Sequence, residues 1–163
     1  MLVEITPTPS QKRKATMMSE EMGVLNGSIT KGAGNKAGFL GEVCAAKYLK
    51  ADHKNTYQYD LILPNGKTVD VKTMRSKFMP LLSYNVTISN WNTKQKCDYY
   101  VFTRCHTKYH KVWLCGYIDK EVFFDKATLR KKGEKDGTFV YKSDSWALPI
   151  DQLMPIERLI NLK

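Results

Sequence analysis

The stretch YDLILPNGKTVDVKT, Tyr59 to Thr73, carries two aspartates and a lysine whose spacing could do chemistry: Asp60, Asp70 and Lys72. Between the aspartates, Leu63-Pro64-Asn65-Gly66-Lys67 is turn chemistry. Proline presets φ, and Gly66 can take the left-handed conformation that closes a three-residue hairpin loop. With Pro64, Asn65 and Gly66 as the loop, Leu63 pairs with Lys67 and Asp60 falls opposite Asp70. Their Cβ atoms then lie about 5 Å apart on one face, and Lys72, two residues on, joins that face. A two-residue loop would instead pair Asp60 with Val71 and break the site. Facing carboxylates repel one another unless positive charge lies between them. A divalent cation is the simplest neutraliser, and Mg²⁺ combines carboxylate oxygens with water and substrate phosphate. It can polarise a phosphodiester, while a neighbouring lysine stabilises charge on phosphoryl oxygens or helps activate water.

The elements that must position these residues are legible around them. NKAGFLGEVCAAKYLK, from Asn35 or Lys36 to about Lys50, reads as a helix with Asn35 as N-cap. Gly38, Glu42, Ala45, Ala46 and Leu49 share one side of it. An unpaired carboxylate on an inward face is costly. Glu42 is therefore either an edge residue paired with a lysine or a further ligand to the same cation, direct or through water. Strand-like segments follow at 56–63, 67–74, 81–88, 99–104 and 111–118, with a short helix or irregular crossover at 89–98. IDKEVFFDKATLRKKG reads as a helix ending at Gly133, and the tail supplies a strand and short turns. Residues 1–34 show no sustained period and read as a flexible or irregular segment with a short helix around 19–25. KGAGNKAG fits no phosphate-loop pattern and reads as a loop feeding the helix.

Charge points to a polyanion. The 163 residues hold 26 Lys+Arg against 16 Asp+Glu, a net charge of +10, and nucleic acid is the first candidate. The excess is dispersed, which suits a groove assembled by folding. Lys31, Lys36, Arg75, Lys77, Lys94 and Lys96 are candidates for phosphate contacts, a solvated polar face being the ordinary alternative. Trp91 and Tyr84 could stack on bases or belong to a core. No apolar run reaches the roughly 18–20 residues that span a bilayer, and the N-terminus lacks a signal peptide's order. Both point to a cytoplasmic protein without structural disulfides. Cys105, His106, His110 and Cys115 are zinc-binding types without paired C-x-x-C knuckles, and read as buried thiols and turn histidines. Asp52-His53-Lys54 repeats the Asp-x-Lys pattern in an expected loop without a partner acid.

Glu42 on a leading helix, then Asp60, then Asp70-Val71-Lys72 across a hairpin, resembles the PD-(D/E)XK nuclease superfamily, which includes phage endonucleases and Holliday-junction resolvases. The resemblance covers about 35–118 and departs at Tyr59, where the motif has proline. It implies an α/β (α+β) restriction-endonuclease-like fold, a mixed central sheet flanked by helices in the order α-β-β-β-α-β, with 35–163 as one nuclease-like domain. It implies Asp60, Asp70 and the Val71 carbonyl as Mg²⁺ ligands, with Mn²⁺ as substitute, Lys72 as the catalytic lysine and Glu42 as the helix acid. The activity implied is a metal-dependent deoxyribonuclease, an endonuclease acting in the cytoplasm of a cell or a viral host, with DNA as partner and a homodimer admitted. The alternative is a non-catalytic basic nucleic-acid-binding module. Gln95 to Tyr99 reads Q-x-x-x-Y, which some exonuclease branches carry on a helix. Since Tyr99 opens a strand here, that match is read as coincidental.

Overall fold

A computed structural model describes residues 2–26 and 33–163 of the chain. Strand β1 (Val3–Ile5) leads into helix α1 (Pro9–Asn26). The N-terminal segment expected to be irregular is therefore ordered over these elements. Thr8 and Gln11 explain why α1 forms. The Gln11 N–H donates to Thr8 Oγ1 at 3.1 Å, and the Thr8 N–H donates to Gln11 Oε1 at 2.9 Å, a reciprocal capping box with proline at the first helical position.

Helix α2 (Ala33–Leu49) packs against α1 and is already helical at Asn35, so Asn35 is not its cap. Then come β2 (Asp52–His53), β3 (Leu61–Ile62), β4 (Thr68–Ser76), β5 (Asn85–Ser89), β6 (Tyr99–His106) and β7 (Val112–Asp119). Helix α3 (Lys120–Lys126) is followed by β8 (Thr128–Arg130), β9 (Lys135–Asp136), β10 (Phe139–Val140), β11 (Ser145–Pro149) and α4 (Glu157–Ile160). A six-stranded mixed sheet runs β1-β7-β6-β4-β3-β2, with β4 and β6 parallel. A three-stranded sheet, β5-β11-β8, and the β9–β10 hairpin complete the strands.

The molecule is thus mixed α/β, with a mixed sheet flanked by helices, but the expected α-β-β-β-α-β order does not hold in detail. The third strand, β5, pairs with β11 rather than joining the main sheet. The crossover from β4 to β6 runs through β5, and its helical content is a single 3-10 turn at 90–92. The helix expected to reach Gly133 stops at Lys126. Ala127 is extended, and Thr128–Arg130 pairs with β11. Strand pairing between distant segments outweighs the local helix propensity of this run.

The two sheet faces have different roles. Val71↔Val101 and Thr73↔Thr103 are paired positions of β4 and β6 on the α2 side. There Val71 and Val101 share a core with Leu40, Cys44 and Leu49 of α2. A side chain at Gly41 would overlap Thr73 Oγ1 and stand 2.6 Å from Thr103 Oγ1, so glycine lets α2 approach the sheet this closely. Asp70↔Tyr100 and Lys72↔Phe102 face the other way. Tyr100 and Phe102 pack there with Phe123 of α3 and with Val86 and Leu148 of the small sheet. Among the described residues no helix is long and apolar enough to cross a membrane.

Candidate functional site

The hairpin forms in the expected register. Leu63 N–H donates to Lys67 O at 2.8 Å, Gly66 N–H closes back to Leu63 O at 2.8 Å, and Gly66 takes φ +85°. Leu61 faces Val69 and Ile62 faces Thr68. Beyond Leu61 the two strands part. The chain turns at 54–60, where Lys54 and Asn55 N–H both donate to Asp60 O, and Thr56 brackets Tyr59. The strand expected over 56–63 is therefore mostly turn, and β2 folds back onto β3 instead.

Asp60 lies at this parting. Its N–H donates to Val69 O at 2.9 Å, and its Oδ2 accepts the Val71 N–H at 2.7 Å. The carboxylate supplies the rung that β3 no longer provides, so it aligns with the edge of β4 rather than facing Asp70 squarely. A strand residue's N–H and C=O leave the chain on the same side, which puts the Val71 carbonyl on that edge too. Asp70 and Lys72 point from β4 to the side away from α2, and Lys72 Nζ lies 2.7 Å from Asp70 Oδ2. This contact is a buried ion pair, and Oδ2 has no partner other than Lys72.

Glu42, Asp60 and Asp70 are only 8, 7 and 2 % exposed, so their charge is costly. Burial is the main cause that pushes Glu42 and Asp60 up to about 8 each. The charge of Asp70 adds to it at Glu42, those of Glu42 and Asp70 add at Asp60, and Lys72 opposes it at both. Asp70 is also raised by burial, against the pull of Lys72, Gln95 and Lys120. Three buried carboxyls that resist ionisation, with the Lys72 ammonium in contact with one of them, would favour a further cation. Among the described residues no three His, Cys, Asp or Glu side chains already form a metal cluster. The site offers two carboxylates and a carbonyl, a partial set of the kind that hard cations complete with water and phosphate.

Three contributors were not anticipated. Gln95 is buried, and its Nε2 donates to Asp70 Oδ1 at 2.9 Å and to Tyr57 O at 3.0 Å. Its Oε1 accepts from Lys72 Nζ at 2.9 Å. Tyr99 does open β6, and Gln95 precedes it in an irregular segment rather than a helix, yet the glutamine stands in the site. Lys120, at the start of α3, donates through Nζ to the Gln95 carbonyl. His53, expected in a loop without a partner acid, is on β2 with Nε2 2.7 Å from Glu42 Oε2. Glu42 is thus paired with histidine, not lysine. Burial raises the acid and lowers the histidine. Only the Q-x-x-x-Y spacing marked Gln95 in the sequence.

The candidate phosphate contacts scatter. Lys94 and Lys96 are exposed on either side of buried Gln95. Lys36 lies over the Tyr109 ring at 4.4 Å, and it and Arg75 both act on the Cys105 thiol at the far end of β4. Lys77 is exposed beyond that end, and Lys31 lies outside the described residues. An open groove of about 630 Å³ between α1 and α2 is lined by Lys14, Lys47 and Lys50 beside His53. Trp91 is exposed on the crossover, and Tyr84 is partly exposed. Cys105 and Cys115 are buried in opposite cores, and the His106 and His110 rings stack at 5.1 Å. Those four residues do not converge.

No protein-family model matches the chain, and no curated protein matches it in sequence.

Proposed function

We propose that the protein is a metal-dependent deoxyribonuclease, an endonuclease of restriction-endonuclease-like type that hydrolyses DNA phosphodiester bonds. One observation carries this reading. Asp60, Asp70 and Lys72 meet where β3 leaves β4, with Asp60 Oδ2 on the Val71 N–H and Lys72 Nζ at 2.7 Å from an otherwise unfilled Asp70 oxygen. The β3–β4 hairpin, the parallel β4–β6 pair and α2 across the sheet support the resemblance to PD-(D/E)XK nucleases. The crossover and the placement of β5 depart from that pattern.

Asp60, Asp70 and the Val71 carbonyl would hold Mg²⁺ or Mn²⁺, with Glu42 adjoining through water, and the bound cation supplies Lewis-acid stabilisation of phosphoryl charge. In the reaction a water oxygen forms the new bond to phosphorus, the ester P–O bond breaks, and the released sugar oxygen takes a proton. Lys72 donates to the phosphoryl oxygens as their charge grows. Gln95 holds Lys72 and Asp70 in register. The groove with Lys14, Lys47 and Lys50, and the exposed Lys94 and Lys96, give a net charge of +10 places to meet a phosphate backbone.

The test is cleavage of supercoiled plasmid, branched DNA and single strands with Mg²⁺ or Mn²⁺. Asp70→Ala and Lys72→Ala should each lose about 100-fold or more in rate, the loss seen when one charge-stabilising group is removed. No cleavage by the wild type, or equal cleavage by all three proteins, leaves a non-catalytic nucleic-acid-binding module as the answer.

A further inference from the structure

The main sheet carries a cavity of mixed polar and aromatic lining on the face that presents Asp70 and Lys72. It encloses about 450 Å³ between β4, β6 and the small β elements. Its floor is Met74 and Arg104, paired positions of β4 and β6. Arg104 is 9 % exposed, and its guanidinium carbon lies 5.7 Å from the centre of the Tyr84 ring. Its Nη2 donates to Asn85 O at 2.8 Å, while Nε has no partner. Among the described residues no carboxylate lies within ion-pair distance of it. Asp136 stands in the same cavity and accepts from Asn85 Nδ2 at 2.6 Å through Oδ2. Tyr141, 2 % exposed, places its hydroxyl beside Asn85 and Asp136. Tyr84 and Phe139 are partly exposed in the wall.

A buried guanidinium with one hydrogen bond and no carboxylate in direct contact, Asp136 acting on it only across the cavity, has donors left for a ligand's acceptors. Phosphate is one candidate, but Asp136 in the same cavity opposes an anion. A neutral planar ligand with acceptors on one edge and donors on the next satisfies both groups and lies against the two rings. Among nucleobases guanine has this arrangement, O6 and N7 accepting and N1–H and N2–H₂ donating, and arginine is its commonest side-chain partner. We propose that this cavity receives an unstacked guanine of the nucleic acid, read by Arg104 and Asp136 and stacked by Tyr84 and Phe139. The inference rests on the nucleic-acid reading above. At strand rise, Met74 is about 7 Å beyond Lys72 and about 13 Å beyond Asp70. A strand whose phosphate lies at Asp70 and Lys72 could therefore deliver a nearby base, extruded or already single-stranded.

Titration of the full chain with dGMP, dAMP, dCMP and TMP, followed by ligand-observed NMR or calorimetry in EDTA, tests this apart from cleavage. The wild type should bind dGMP about tenfold more tightly than the others, on the scale of one good bidentate pair. Tyr84→Ala should weaken dGMP binding by about tenfold, as loss of one stacking ring does, and Phe139→Ala should act in the same direction. Asp136→Asn should narrow the preference for dGMP over dAMP. Equal binding of all four nucleotides, binding of none, inorganic phosphate competing as well as dGMP, or indifference to both ring variants would each overturn the proposal. Because EDTA removes any metal requirement, that failure is separable from a failure of the nuclease reading, which only the cleavage assay can sink.

Discussion

Gln95 donates from Nε2 to Oδ1 of Asp70 at 2.9 Å, joining the crossover to β4 across 25 residues of chain. Because its Oε1 also accepts from Lys72 at 2.9 Å, one neutral amide fixes both members of a charged pair. An amide has a donor and an acceptor end, so it can hold an anion and a cation together without adding charge to a buried cluster.

Gln95→Ala should fold, since the segment stays pinned by Asp98 on Thr68 at 2.8 Å and by Lys96 N–H on Gln58 at 2.7 Å. It frees Lys72 and Asp70 to adopt other rotamers. The expected outcome is a fall of about tenfold in the cleavage rate, the low end of losses from mispositioned groups, with DNA affinity little changed. Single-turnover rates beside binding isotherms would check the split. An equal fall in affinity would instead make Gln95 a binding residue.

Local chemistry made the hairpin and α2 legible in the sequence. Pro64-Asn65-Gly66 sets its turn without outside help, and Glu42 stands out on a face of small residues. Non-local pairing hid the rest. The turn at 54–60 is closed by Asp60 O, which gathers two N–H groups, and together with the β2–β3 pairing it brings His53 back to Glu42. β8 is a strand only because β11 lies beside it. Helix α1 is a different case: Thr8-Pro9-Ser10-Gln11 spells a capping box, but the residues that follow carry little apolar periodicity to mark a helix.

The buried carboxyls predict a pH dependence of stability in metal-free protein. Glu42 and Asp60 are raised from the ordinary carboxyl range near 4 to about 8 each, chiefly by burial. Between those values these two carboxyls bind more protons in the folded chain than in the unfolded one, so their contribution to stability falls as pH rises through the window, against the smaller opposite trend of His53, which burial lowers. In EDTA the melting temperature contributed by these groups should drop by about 5 °C or more from pH 5 to pH 8.5. Glu42→Gln, which keeps a neutral partner for His53, should flatten the slope. Mg²⁺ should restore stability at the alkaline end. A slope identical in wild type and Glu42→Gln would count against a buried, protonated Glu42.

Gly41→Ala tests the approach of α2. The added Cβ meets the hydroxyls of Thr73 and Thr103, which already bond one another at 2.7 Å. Overpacking of this kind costs about 1–3 kcal/mol. Although alanine is the better helix former, chemical denaturation should show Gly41→Ala less stable than wild type. Gly38→Ala, whose added Cβ meets nothing within 4 Å, should be more stable than wild type.

The basic residues near the site separate by position, and salt dependence can read the difference. Lys94 and Lys96 are exposed on both sides of the residue that contacts Asp70, which makes them the candidates for phosphate contact beside the site. Lys36, over the Tyr109 ring, and Arg75 belong to the other end of the strand and to the α2 side. Each lysine that neutralises a phosphate releases a counterion, and losing it lowers the slope of log affinity against log salt by about one. In the Asp70→Ala background, which separates binding from cleavage, Lys94→Ala with Lys96→Ala should lower that slope by about two. Arg75→Ala should leave it unchanged. The reverse result would move the path of the nucleic acid to the far end of β4, away from Asp60 and Asp70, where the acids could not act on it.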